Sequence, residues 1–185
     1  MCKKYIVFSL PLFLFVLMSA VSCDNDSNAE ENFTESFSGS FRSGPMNTDT
    51  NEDGSPASIA SLSGDSTFGP ITIESVNEFM IVDTTGACPQ GQLEFSLVRG
   101  NFIKRFAETG ELLFGTWQTG TSCFDPETTE SETNQSGVFS GGTGQFENAG
   151  GPVEINFTSV DLATNAEEGF RFGGTTGTGM GMLEQ

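Results

Sequence analysis

From residue 33 onward, apolar side chains recur at every second position in short runs, which is the spacing of a β-strand with one buried face. Phe33, Phe37 and Phe41 share one side of the first run with Gly39. Glu35 falls on that same side, so either the strand bulges there or a carboxylate points inward. The pattern dissolves into polar sequence between Ser43 and Pro56. It resumes at 58–62, 71–76, 78–83, 92–98, 101–106, 111–118, 137–140, 153–160 and 169–175. Residues 107–110, Ala-Glu-Thr-Gly, join two of these runs as a hairpin turn. No stretch after Cys23 keeps a 3.6-residue apolar period. Many short strands with glycine turns and no helix predict an all-β antiparallel barrel or sandwich.

The sharpest local feature is residues 141–151, Gly-Gly-Thr-Gly-Gln-Phe-Glu-Asn-Ala-Gly-Gly. Glycine accepts positive φ and close backbone approach, so Gly141, Gly142 and Gly144 predict a sharp, tightly packed corner. The run reads as a strand ending near Phe139, one helical turn over 145–149 that drops Phe146 into an apolar end, and a new strand at Val153. A phosphate-binding loop is the rival for glycine-rich sequence. It fails on spacing, because Glu147 stands where G-x-G-x-x-G needs its last glycine and no Gly-Lys-Ser/Thr follows.

Residues 137–146, Gly-Val-Phe-Ser-Gly-Gly-Thr-Gly-Gln-Phe, resemble the G-G-T-G-[basic]-F signature of the allene oxide cyclase and dirigent group of small β-barrels. The upstream residues 95–102, with Gly110 and residues 112–115, are similar in style. The likeness covers residues 90–160, and Gln145 replaces the usual basic residue. It implies a calycin-type antiparallel barrel of about eight strands and carries over no catalytic residue. Such a barrel either fills with side chains or holds one small ligand. Fifteen of the 18 phenylalanines lie beyond residue 22, which predicts a largely filled interior.

The amino terminus reads differently. Lys3 and Lys4 precede an apolar run over residues 5–18, and the small residues 19–22 lead to Cys23, the order of a secretory signal. The apolar run is too short, and too abruptly followed by Asp24-Asn25-Asp26, for a comfortable membrane span. Cysteine at the cleavage point resembles the lipobox of bacterial lipoproteins, with Ala20 where leucine is commonest. The resemblance implies a signal peptide over 1–22, a diacylglycerol on Cys23, and hence a membrane anchor. Residues 23–32 then form an acidic tether and 33–185 one barrel domain. The implied location is the extracytoplasmic envelope, with an outer membrane or cell surface placed ahead of an inner membrane and the leaflet left open.

Charge narrows the partners. The chain carries 25 acidic and 7 basic residues, and removing Lys3 and Lys4 takes the net charge from −18 to about −20. Such a surface repels phosphate backbones, so nucleic acid is excluded as a partner. Cys2 and Cys23 belong to the leader and the anchor. The two remaining cysteines, Cys88 and Cys123, lie in turn-rich sequence and predict a disulfide in an oxidising compartment.

Catalytic chemistry is limited by composition. The chain has no histidine, and its one tyrosine, Tyr5, lies in the leader, so the usual proton shuttles and a Ser-His-Asp triad are absent. What remains is an inward carboxylate, Glu35 or Glu94. Lys104 alternates with Phe102 and Phe106 on one face. The sequence predicts that it reaches solvent from the strand end, the alternative being a buried cation awaiting a ligand carboxylate. Asp49, Asn51 and Asp53 fit D-x-[DN]-x-[DN]-G, a Ca²⁺-loop pattern, but Ala60 replaces the twelfth-position glutamate and no helix flanks the loop. Asp125, Glu127, Glu130 and Glu132 are spaced irregularly among Ser and Thr and read as disordered. The leading expectation is a non-catalytic barrel that binds a small apolar ligand or serves as an interaction module. The alternatives are a cyclase- or isomerase-like enzyme using a buried carboxylate, and a calcium-stabilised structural protein.

Overall fold

A computed structural model describes residues 30–44, 57–82, 86–165 and 170–184. The chain is an all-β, closed, eight-stranded antiparallel barrel in which every strand pairs with its sequence neighbours and the last closes on the first. In chain order the strands are β1 (Glu30–Gly44), β2 (Ala57–Ser66), β3 (Gly69–Ile81), β4 (Leu93–Phe106), β5 (Leu112–Asp125), β6 (Glu130–Gly142), β7 (Pro152–Asn165) and β8 (Phe170–Glu184). Closure leaves no free sheet edge.

Several expected boundaries shift, each for a physical reason. β1 starts at Glu30, so the last three tether residues pair with β8, Glu30 opposite Glu184 and Asn32 opposite Met182. The runs 71–76 and 78–83 are one strand with a register shift between Glu78 and Phe79. The runs 92–98 and 101–106 also merge into one strand, β4. Gly100, which punctuates the sequence there, is a packing glycine and not a turn: a Cβ on it would run into Asn77 and Trp117. β5 and β6 extend through residues the sequence reads as loop. Asp125 pairs with Glu130 and Cys123 with Glu132, and the Asp125 side chain accepts hydrogen bonds from the Glu127 and Thr128 amides across the turn. The acidic cluster is therefore an ordered hairpin, held by backbone pairing that its polar sequence does not advertise.

One end of the barrel is packed shut. The short turns after β2 and β4 and the glycine corner after β6 meet there. Thr143 to Glu147 form a single 3₁₀ turn over Gly144–Phe146, with the Glu147 amide donating to the Gly144 carbonyl. Gly144 has φ 62° and tucks against Glu111, whose carboxylate accepts from the Gln145 amide at 3.1 Å. Phe146 is thereby fully buried, stacked on Phe106 at 4.5 Å and edge-on to Phe68 at 5.5 Å. Phe33, Leu113, Val153 and Leu183, all at 0% exposure, complete this plug. Burying each such side chain stabilises the fold by about 1.5–3 kcal/mol. At the other end, a Cys88–Cys123 disulfide ties the β3–β4 connection to β5 across 35 residues. Closing a loop of that length contributes about 3–4 kcal/mol in the chain-entropy picture.

Candidate functional site

Above the plug the barrel does not fill. A cavity of about 110 Å³ opens toward the disulfide end, with walls formed by Phe37, Phe41, Phe79, Phe95, Phe157, Leu62, Ile73 and Ile155. Small residues make this room. Ala60 lines it directly, and Gly179 on β8 leaves the space that the inward Glu35 side chain occupies, since a Cβ there would meet its carboxylate. A collar of hydroxyls, Ser43, Ser58, Ser122, Ser131 and Ser159, surrounds the apolar part. Some collar groups satisfy one another: Ser122 and Thr133 share a hydrogen bond at 2.8 Å, and Ser159 donates to Thr175 at 3.0 Å. Arg171 also lines the cavity, with its guanidinium held by Asp161 at 2.7 and 2.9 Å and stacked on Phe124 at 4.6 Å.

The most unusual part of the lining is ionic. Lys104 Nζ donates to Glu35 Oε1, and both side chains are 1% exposed. β1 and β4 are not neighbours in the sheet, so this pair spans the barrel interior. The expectation that Lys104 reaches solvent is therefore wrong. Its strand continues past it to Phe106, and the ammonium is flanked by the rings of Phe33, Phe102 and Phe139 at 4.7, 5.1 and 5.8 Å. Phe102 itself lies flat over Gly115, its cross-strand partner, where any Cβ would overlap the ring. Burial pushes the Lys104 ammonium below its ordinary value of 10.5, and the Glu35 charge and hydrogen bond only partly oppose this.

Three other polar groups lack protein partners in this lining. Glu35 Oε2, Trp117 Nε1 and both polar atoms of the Gln135 side chain are buried without a hydrogen bond. Buried groups of this kind are ordinarily satisfied, so each is a point where a bound molecule gains by supplying a partner. Of the two inward carboxylates expected from sequence, Glu35 lines the cavity. Glu94 is buried at the opening end of β4, opposite Cys123, and does not. Trp117 and Gln135 were not singled out by sequence. The signal for Gln135 was the alternation Ser131, Thr133, Gln135, Gly137 and Phe139, a strand face that is polar where it meets the cavity and apolar where it meets the plug.

Among the described residues, no group of three or more His, Cys, Asp or Glu side chains is placed to hold a metal ion. Asp49, Asn51, Asp53 and Cys23 lie outside the described residues. Gly141, Gly142, Gly144 and Phe146 are all in the corner that closes the plug. No protein-family model and no curated protein matches this chain.

Proposed function

We propose that this protein is a lipid-anchored envelope module that holds one small, largely apolar ligand in its barrel. The observation that carries the reading is the cavity: about 110 Å³ with phenylalanine walls, above an end packed with side chains at 0% exposure. A single aromatic ring occupies an apolar cavity of roughly 150 Å³, so the space suits one ring or a short chain extending toward the opening. The hydroxyl collar and the unpartnered polar atoms favour a ligand with at least one polar group. The glycine corner and the eight-strand closure support placing the fold beside the allene oxide cyclase and dirigent barrels. Outward positions Ser36, Ser38, Ser61, Ser63 and Asp65 on β1 and β2 are exposed and polar, whereas β3 exposes Val76, Met80 and Ile81, and β7 and β8 expose Leu162, Phe172 and Met180. In this reading the lipid on Cys23 provides the attachment.

Trp117 is the only tryptophan in the chain and lines the cavity, which makes it a built-in reporter. Benzyl alcohol titrated into the protein should change Trp117 emission saturably. Ala60→Phe, which places a ring in the cavity, should abolish the effect. A response that stays linear and matches free tryptophan would remove the ligand-binding reading.

A further inference from the structure

The ion pair under the cavity needs an explanation that stability does not supply. Two charges withdrawn from water and paired are often no more stabilising than apolar residues of the same volume, and this floor already packs three phenylalanine rings. The pair is also asymmetric. Glu35 uses Oε1 on Lys104, while Oε2 is buried without a partner. Lys104 is the only lysine beyond residue 4. A lone amine set in an apolar pocket beside a carboxylate is the arrangement that captures carbonyl compounds.

We propose that Lys104 captures a small aldehyde or ketone in the barrel as an imine, with Glu35 moving the protons. This rests on the ligand-binding reading above and names the class of ligand. The step balances within the pair and the ligand. Glu35 first takes a proton from the ammonium, freeing the nitrogen lone pair. Nitrogen attacks the carbonyl carbon, the carbonyl π electrons move to oxygen, and that oxygen takes the proton from Glu35. Glu35 then removes a second proton from nitrogen and returns it to the carbinol hydroxyl. The C–O bond breaks, water leaves toward the cavity opening, and a protonated imine remains opposite the Glu35 carboxylate. One positive and one negative charge are present before and after, so the buried electrostatics set up by the fold are preserved in the product. The depressed basicity of Lys104 helps, because the attacking species is the neutral amine. The rings of Phe33 and Phe102 lie against the trapped cation, while the phenylalanines that line the cavity, Phe37 and Phe157 among them, take the hydrocarbon part of the ligand.

The test uses the full chain with benzaldehyde and sodium cyanoborohydride, followed by peptide mapping across Lys3, Lys4 and Lys104. The expected result is reduction onto Lys104, on the order of 100-fold faster in the folded protein than in the same chain in urea, as positioned acid–base groups provide. Benzyl alcohol, which cannot form an imine, is titrated in parallel against Trp117 emission. If the alcohol binds and Lys104 labels no faster folded than unfolded, imine capture is overturned and the cavity reading survives. If neither compound perturbs Trp117 and Lys104 stays unlabelled, both fall. Lys104→Met serves as the mass control, and should it fail to fold, the folded-to-urea ratio in the unaltered chain still decides the outcome.

Discussion

Lys104 and Glu35 were each legible on an inner strand face, but their partnership was not. They stand 69 residues apart on strands that do not pair, so no local spacing announces the contact. The pair has a distinct energetic signature. Lys104→Met leaves the Glu35 carboxylate buried and uncompensated, which should cost about 3–5 kcal/mol in urea unfolding. The double variant Glu35→Leu with Lys104→Met removes both charges and should recover most or all of that loss. A double variant as damaged as the single would mean the ion pair itself is worth keeping for stability. The pair also sets a pH dependence. Burial lowers the folded-state value of Lys104 below 10.5. Between that lowered value and 10.5 the unfolded chain binds more protons than the folded one, so stability rises with pH across that window. Urea midpoints at neutral pH and near pH 10 should therefore move in favour of the unaltered protein relative to the double variant. A fall over the same range would contradict the desolvation that the burial of Lys104 implies.

At the level of elements, the corner after β6 was the best-read feature of the chain. Its glycines fix positive φ at Gly141 and Gly144, 116° and 62°, and the short turn delivers Phe146 to the closed end. Phe146→Ala should cost about 3–5 kcal/mol, because the ring is enclosed by Phe68 and Phe106 and the rigid turn gives little room for collapse. The loss should appear in thermal or urea unfolding. Ligand binding at the other end, read through Trp117, should persist while the barrel stays folded. An effect under about 1 kcal/mol would mean that the plug does not depend on this ring. The paired segments of β5 and β6 were the worst-read. Residues 119–125 and 130–136 carry Ser, Thr, Asn and Gln where a strand packed on a core would carry Val or Phe. Their inward positions face an open cavity and not a packed interior, so the alternation of apolar and polar residues fades although the pairing does not. Polar character on a strand face was the sequence's record of the cavity, and it was read as loop.

On the scale of the whole molecule, the phenylalanine count predicted a largely filled barrel, and the structure packs one end and leaves a cavity of about 110 Å³ above it. The aromatics near the corner pack into the plug, whereas Phe37, Phe41, Phe79, Phe95 and Phe157 line a space. Composition counts side chains but not how the strand register and the glycine-rich eighth strand distribute them. The same scale bears on the membrane attachment proposed above. A net charge near −20 beyond residue 22 repels anionic headgroups, so electrostatic adsorption does not hold the chain on such a surface. Its described outer face mixes polar positions on β1 and β2 with exposed apolar side chains such as Ile81, Leu162 and Met180. In the lipid-anchored reading we propose, attachment rests on acyl chains at Cys23, each buried methylene adding about 0.8 kcal/mol, so that multiple acylation gives a near-permanent anchor. In membrane fractions the protein should stay in the pellet through high salt and carbonate washes and leave only in detergent. Cys23→Ser should shift it to the soluble fraction with its barrel intact, as judged by unchanged Trp117 emission. Release by salt alone would point to a charged partner instead of a lipid, and retention of Cys23→Ser in the pellet would show that another part of the chain holds the membrane.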